Sequence, residues 1–255
     1  MRITLENQVA LVTGGSRGVG AAAVKLFAEA GCNVVFSYLR DARAARQVVE
    51  ACREATGSVI AARADVSRMA DARKLIDKAI RRFGRLDILV ANAGIWNAGP
   101  EAIEQMSESR WDKMVAVNLK GAYSVIRCAV PHMIAQNAGC IIAVSSTAGQ
   151  RGESFHAHYA AAKGGVISMV KSLAAELAPH NIRVNAVAPG WVATDMSKQV
   201  LSKPSEKRKV TSSIPLGRFA RPEEVAMPIL FLASEMSNYI TGEIININGG
   251  SVLCG

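Results

Sequence analysis

Short apolar runs of strand length recur along this chain, and each is followed by a segment whose apolar residues repeat with a helical period. Val9 to Thr13 reads as a strand, Gly18 to Ala30 as an amphipathic helix, Asn33 to Tyr38 as a second strand and Asp41 to Thr56 as a second helix. Val59 to Arg63 follows as a strand, Ser67 to Phe83 as a helix opened by a serine cap, and LDILVANAG as a fourth strand entering a glycine turn. The second half keeps the same rhythm. It has a long helix from Trp111 to Ala135 that Pro131 should kink or end, a buried strand through Ile141 to Val144, a helix from Tyr159 to Leu177, and the strand IRVNAVAPG. A helix opened by Pro222 and a last strand, Glu243 to Asn248, complete it. Strands separated by crossover helices pair in parallel, and a parallel sheet is covered on both faces. The expected architecture is therefore α/β, a doubly wound parallel sheet of about seven strands with helices on both sides.

Nothing divides the 255 residues, so one domain is expected over residues 1–255. The polar stretch from Trp191 to about Ile214 is the candidate lid, because a long connection in a compact domain usually serves a site. The apolar runs fall far short of the roughly 20 residues that a membrane span needs. The N-terminus, MRITLENQVALVTGG, has no long apolar region of the secretory kind, so a cytoplasmic location is expected. Cys32, Cys52, Cys128, Cys140 and Cys254 are odd in number and form no CxxC pair, which argues against a disulfide framework and a zinc site. The histidines lack HExxH spacing, and His156 and His158 are read as pocket-edge or surface residues, not ligands; no metal is expected. A net charge of +9 would suit a nucleic acid, an acidic protein partner or solubility alone. Its densest cluster, Lys203 to Lys209, is read as a solvated mobile loop in preference to a docking patch.

Two stretches carry chemistry. The first strand leads into Thr13-Gly14-Gly15-Ser16-Arg17-Gly18-Val19-Gly20, where glycines let backbone approach a pyrophosphate and the next helix presents its positive N-terminus. The alternative is a glycine-rich turn that serves only helix-strand packing. Farther on, Tyr159 and Lys163 stand at i,i+4 spacing on one helix face, so an ammonium lies beside a phenol whose ordinary pKa of about 10 makes it a poor acid or base near neutrality. Ser145 and Ser146 stand at the carboxyl end of the strand before them, where a hydroxyl could hold a carbonyl oxygen. Chance neighbours on an alanine-rich helix are the bland alternative.

With these motifs in order, the chain resembles the classical short-chain dehydrogenase/reductase family from Leu5 to Gly250, and a single Rossmann-type domain is what that resemblance implies. It implies cofactor contacts from Gly14, Ser16, Arg17, Gly18, Val19 and Gly20 in the loop, and from Asp65 and Val66 at the adenine. Asn92, Ala93 and Gly94 match the NNAG turn, with Ala91 departing from it, while Pro189, Gly190, Val192 and Thr194 match the segment holding the nicotinamide carboxamide. The thirteen-residue step to Tyr159 matches Ser146, not Ser145, to the family's serine. By the same resemblance Tyr159 is the proton donor and Ser146 holds the carbonyl oxygen. Lys163 binds the nicotinamide ribose and lowers the phenol pKa, and Asn118 holds a water that links Lys163 to solvent. Without the family match, Asn118 reads as a helix asparagine satisfied by backbone.

An acidic residue after the second strand would bind a ribose 2′-hydroxyl and repel a 2′-phosphate. Tyr38 fills that slot here, and Arg17 and Arg40 add positive charge, so NADP(H) is the expected cofactor; Asp41 is the counter-argument, with an N-cap role of its own.

Within the family the chain looks most like 3-oxoacyl-[acyl-carrier-protein] reductases, through PGWVATDM, PLGRFARPEEVA and YITGEIININGG. The expected substrate is a ketone, foremost a 3-oxoacyl thioester. A free secondary alcohol, sugar or aromatic ketone is the second reading, and a non-catalytic NADP-sensing or nucleic-acid-binding protein the third, which the intact Ser146, Tyr159 and Lys163 set argues against. An acyl carrier protein is a partner that the resemblance admits. Asn137 and His180, however, occupy places where carrier-using relatives commonly have arginine. Neither a nucleic acid nor a membrane is expected as partner, and the resemblance implies a homotetramer.

Overall fold

The computed structural model describes residues 3–97 and 99–253, so Cys254 lies outside the described residues. The first half runs β1 (Val9–Val12), α1 (Gly18–Glu29), β2 (Asn33–Tyr38), α2 (Ala42–Ala51), β3 (Val59–Arg63), α3 (Met69–Phe83) and β4 (Ile88–Ala91). It continues with α4 (Glu108–Val115), a π-helical turn (Ala116–Lys120), α5 (Gly121–Gln136), β5 (Gly139–Val144), α6 (Thr147–Arg151), α7 (Ala157–Leu177) and β6 (Ile182–Pro189). The last elements are α8 (Lys198–Leu201), α9 (Pro204–Ser212), α10 (Pro222–Ala233) and β7 (Ile244–Ile247).

All seven strands join one parallel sheet in the order β3-β2-β1-β4-β5-β6-β7. Alternate residues of each strand face opposite layers, and both layers are apolar. Ala10, Val12, Val34 and Phe36 pack under α1, α2 and α10, while Val9, Leu11, Val35 and Leu89 pack under α3, α5 and α7. The chain winds outward from β1 to one edge, returns to β4 and winds to the other. The carboxyl ends of β1 and β4 therefore diverge, which opens a crevice at the switch point.

Several boundaries differ from the sequence expectation. The second helix stops at Ala51, short of Thr56, and Asp41 caps it by accepting from the Ala44 N–H at 2.8 Å. Ser67 does not cap α3; its hydroxyl donates to Asp65 at 2.6 Å, and Arg68 takes the cap position without a side-chain bond. The long helix begins earlier than Trp111 and is interrupted by the π-helical turn at Asn118, not at Pro131, beyond which α5 runs on to Gln136. Lys203 to Lys209 is no loop: Pro204 at the first-turn position starts α9 there, and Lys203 pairs with Glu206 at 2.9 Å. No helix among the described residues is long and apolar enough to cross a membrane. The four described cysteines are free.

The edge strand is pinned by a fully buried amide. Asn185 in β6 accepts from the Glu243 N–H at 3.0 Å and donates to the Ile240 carbonyl at 2.9 Å, which sets the entry to β7. Asn185→Ala leaves the Glu243 N–H without a partner and the Ile240 carbonyl with only the long contact from Arg183 at 3.4 Å, and urea unfolding is expected to show a loss of roughly 1–3 kcal/mol. A loss below about 0.5 kcal/mol would show that β7 is held by other contacts.

Candidate active site

The glycine loop forms because β1 must turn sharply into α1 beneath β4. Gly14 and Gly18 adopt left-handed φ values of +67° and +55°, and a Cβ on Gly20 would press on the Gly14 carbonyl and lie 2.6 Å from Asn92 Nδ2. Thr13 and Asn92 stitch the two central strands across the switch point. Thr13 Oγ1 accepts from the Asn92 and Ala93 N–H groups, both at 2.9 Å, and Asn92 Nδ2 donates to the Thr13 carbonyl at 2.8 Å. The departure at Ala91 therefore leaves this junction hydrogen-bonded; Ala91 itself is buried in β4. No side chain caps the first turn of α1, and no acidic residue stands in it. Its free N–H groups and positive end, with Arg17 and Arg40 nearby, fit the phosphates of a dinucleotide.

A cleft of ≈ 820 Å³ runs from this loop along the carboxyl ends of the strands. Every site residue expected from the sequence lines it, from Ser16, Val19, Tyr38, Asp65 and Val66 at one end to Gly94, Asn118, Pro189, Gly190, Val192 and Thr194 toward the other. Thr194 packs against the loop: a Cβ on Gly18 would lie 3.2 Å from Thr194 Cγ2. Asp65 is held by Ser67, which donates from both its N–H and its hydroxyl. Arg17 does not stand free, since it reaches Asp195 at 3.5 Å across the cleft, with both side chains about two-thirds exposed.

At the floor of the cleft the two serines separate. Ser145 donates to the Lys163 carbonyl at 2.9 Å and so ties β5 to α7, whereas Ser146 N-caps α6 and hydrogen-bonds the Tyr159 phenol. Tyr159 is 8% exposed and Lys163 4%. Burial pushes the phenol up to about 12; the Ser146 hydrogen bond opposes the rise and the Glu153 charge adds to it. Burial also pulls Lys163 down to about 8. The expected lowering of the phenol by the ammonium is absent, because Lys163 Nζ donates to the Val144 carbonyl at 2.7 Å and stands 5.9 Å from the tyrosine ring centroid.

Asn118 is 1% exposed in the π-helical turn. It accepts from the Ile95 N–H at 3.1 Å and donates to the Ile95 and Met114 carbonyls, so its amide holds the loop after β4 against the helix. Gly94 makes that approach feasible. A Cβ there would lie 2.7 Å from Asn118 Oδ1 and 3.5 Å from Lys163 Nζ.

The opposite wall was not foreseen. Trp96 stacks on His156 at 5.2 Å and meets Trp191 edge-on, which in turn meets Phe219. Their legible signal was position: two of only three tryptophans follow directly on the carboxyl ends of β4 and β6, the ends that border a doubly wound crevice. His156 is buried, not at the surface, and its ring nitrogens contact the carbonyls of Ser154 at 3.1 Å and Asn97 at 2.9 Å. Glu153 lines the cleft beside it; burial raises its pKa, against the charges of His156 and Arg151 and a hydrogen bond with the Trp96 side chain. His158 is buried as well, and burial lowers its pKa.

Comparison with known proteins places this geometry. The family described as "Enoyl-(Acyl carrier protein) reductase" matches residues 14–251. The 3-oxoacyl-[acyl-carrier-protein] reductase of Thermotoga maritima is 43% identical over 249 residues, covering 98% of this chain and 99% of the relative. That of Chlamydia muridarum is 39% identical over 251 residues, with 98% and 99% covered. Among solved structures, a short-chain type dehydrogenase/reductase from Mycobacterium marinum superposes with a TM-score of 0.91 at 32% identity, covering 99% of this chain and 98% of that one. Levodione reductase gives 0.91 at 29% identity, with 98% of each covered.

Proposed function

The chain belongs to the short-chain dehydrogenase/reductase family, oxidoreductases acting between alcohol and keto groups, and on that premise we propose that it reduces a 3-oxoacyl thioester with NADPH. The observation that carries the reading is the meeting of the Ser146 and Tyr159 hydroxyls above buried Lys163, in the same cleft as the uncapped end of α1.

A nicotinamide cofactor, when bound, would supply the hydride for the carbonyl carbon. The chain's own residues do the remainder. Ser146 holds the carbonyl oxygen, and Tyr159, protonated throughout the neutral range, gives that oxygen its proton. Lys163, still charged below about pH 8, would hold the nicotinamide ribose from one helical turn away. Asn118 positions the loop that carries Gly94 and, through its place beside Lys163, a water that returns the proton from solvent. Gly14, Ser16, Arg17, Gly18, Val19 and Gly20 hold the pyrophosphate side of the cofactor. Asp65 and Val66 would hold its adenine, Asn92 to Gly94 its middle, and Pro189, Gly190, Val192 and Thr194 its nicotinamide end. Tyr38, Arg17 and Arg40 select the 2′-phosphate, since no free carboxylate stands at that slot; Asp41 is engaged as the cap of α2.

Residues 191–214 form the lid, the face of α7 from Gly164 to Leu177 pairs in a homotetramer, and the enzyme works in the cytoplasm. The relatives' carrier-linked names support an acyl carrier protein as the substrate's bearer. Long-range attraction by scattered positive charge, and not a dedicated arginine patch, brings it in.

Tyr159→Phe is expected to keep the fold and NADPH binding and to lose about 10²–10⁴-fold in turnover of a 3-oxoacyl thioester, read from NADPH absorbance across a panel that includes free aromatic and aliphatic ketones. Turnover within a few-fold of the parent removes Tyr159 as donor. A panel in which only free ketones react assigns the substrate to the second reading. In the parent, kcat/KM for reduction should fall as pH rises through about 8, where Lys163 loses its proton while Tyr159 keeps its own. A profile level to about pH 10 would show that the ammonium is not required. NADPH should be preferred to NADH, and Arg17→Ala should erode the preference roughly tenfold, a modest value because the contact is exposed to solvent. Equal use of both cofactors by the parent overturns the selectivity assignment.

A further inference from the structure

The proton and cofactor steps leave one part of the cleft without a task, the tryptophan corner. Trp96 and Trp191 both border the cleft, each half-buried, with ring centroids 5.6 Å apart and planes nearly perpendicular at 88°. Trp96 also packs against the apolar cluster of Met114, Ala148 and Tyr159, so it stands beside the phenol that meets the ketone. Its ring is fixed from three directions. His156, buried and outside the cleft lining, stacks on it from behind at 5.2 Å and 21°, Trp191 meets it at right angles, and the Glu153 carboxylate accepts from its indole N–H. Glu153 is further engaged by His156 at 3.7 Å. What Trp96 turns to the cleft is therefore apolar indole surface, and Trp191 closes a corner of two flat walls.

We propose that Trp96 and Trp191 form an aromatic platform that makes the site selective for a ketone bearing a flat aromatic ring, in the terms of the reading above a 3-aryl-3-oxoacyl thioester in preference to a straight-chain one. This rests on the reductase reading and names the group that the ketone carries. An alkyl chain that lies in the corner gives up rotamer freedom and gains nothing from the ring quadrupoles. A phenyl ring arrives rigid, stacks in offset on one indole and meets the other edge-on, the two arrangements that aromatic pairs favour. Because Trp96 is already held by His156, Trp191 and Glu153, it needs no ordering when the substrate enters.

The test is the ratio of kcat/KM for the N-acetylcysteamine thioester of 3-oxo-3-phenylpropanoate to that for the thioester of 3-cyclohexyl-3-oxopropanoate, whose ring has the same carbon count but is not flat, measured with NADPH. The parent is expected to show the lower KM for the phenyl substrate. Trp96→Leu should reduce the ratio roughly threefold to tenfold, the worth of one aromatic pair, with the change falling on the phenyl substrate's KM. Parent and variant are compared on the same two substrates, so the lower intrinsic reactivity of an aryl ketone cancels. Trp96→Phe, which keeps a flat ring, should retain most of the ratio, and Trp96→Met makes the same deletion if the leucine variant is not recovered folded. Acetophenone against cyclohexyl methyl ketone repeats the comparison without a thioester. The proposal is overturned if the deletions lower both activities in parallel, as a purely structural tryptophan would, if Trp96→Phe loses the ratio as fully as Trp96→Leu, or if the parent's KM is not lower for the phenyl substrate. A parent that binds NADPH but reduces none of these ketones overturns the reductase reading on which the proposal rests, a result distinct from a ratio that Trp96 fails to move.

Discussion

The structure depends on keeping the Lys163 ammonium and the Tyr159 phenol buried side by side. Burial disfavours both charged forms, raising the phenol and lowering the amine, so the pair sits with its proton affinities pushed apart. Holding it there requires backbone at close range on several sides. The Val144 carbonyl at the end of β5 receives the ammonium, and Ser145 clamps the Lys163 carbonyl. Gly149 lets α6 lie against α7, since a Cβ there would come within 2.6 Å of the Lys163 backbone. Gly94 performs the same service for the loop after β4. The active-site helix is thus located by contacts with the end of β5 and α6 on one side and with the loop after β4 on the other.

The cofactor end of the cleft has a different physical basis. There the sheet's own topology separates two strand ends, and Thr13 and Asn92 bind the gap with side-chain-to-backbone bonds that replace the ladder where β1 and β4 part. The loop can then turn on left-handed glycines without pulling the strands apart. Arg17 bridges from this loop to Asp195 in the segment after β6, so the loop after β1 and that segment meet over the cleft. Both side chains are exposed, and an exposed pair of this kind contributes little to stability, which leaves Arg17 free to exchange its partner for a phosphate.

The substrate end is assembled from three connections: the loop after β4, the loop before α7 and the segment after β6. Trp96, His156 and Trp191 come from one each and pack ring against ring. The His156 ring nitrogens also contact two carbonyls from two of these loops, so the wall is tied at the base of the same helix that bears Tyr159. Substrate choice in this fold resides in such connections, because they vary without disturbing the sheet.

The alternation of apolar runs and helical segments was enough to determine the parallel sheet, its strand count and the place of the glycine turn, because period and length are local properties written in consecutive residues. The Tyr159 and Lys163 pairing was legible for the same reason, being one turn of one helix. Ser146 was separable from Ser145 in sequence only by resemblance; in the fold, the direction of each hydroxyl separates them. Sequence did not disclose that Asn118 would sit in a π-helical turn, that Lys203 to Lys209 would coil into α9, or that Pro131 would be tolerated inside α5. Those outcomes depend on what packs against each segment. Nor could it show the Trp96, His156 and Trp191 wall or the bridge from Arg17 to Asp195. Residues 60 to 178 positions apart meet there only because the sheet order β3-β2-β1-β4-β5-β6-β7 brings distant strand ends to one crevice, and burial, which sets their protonation, exists only once that crevice has formed.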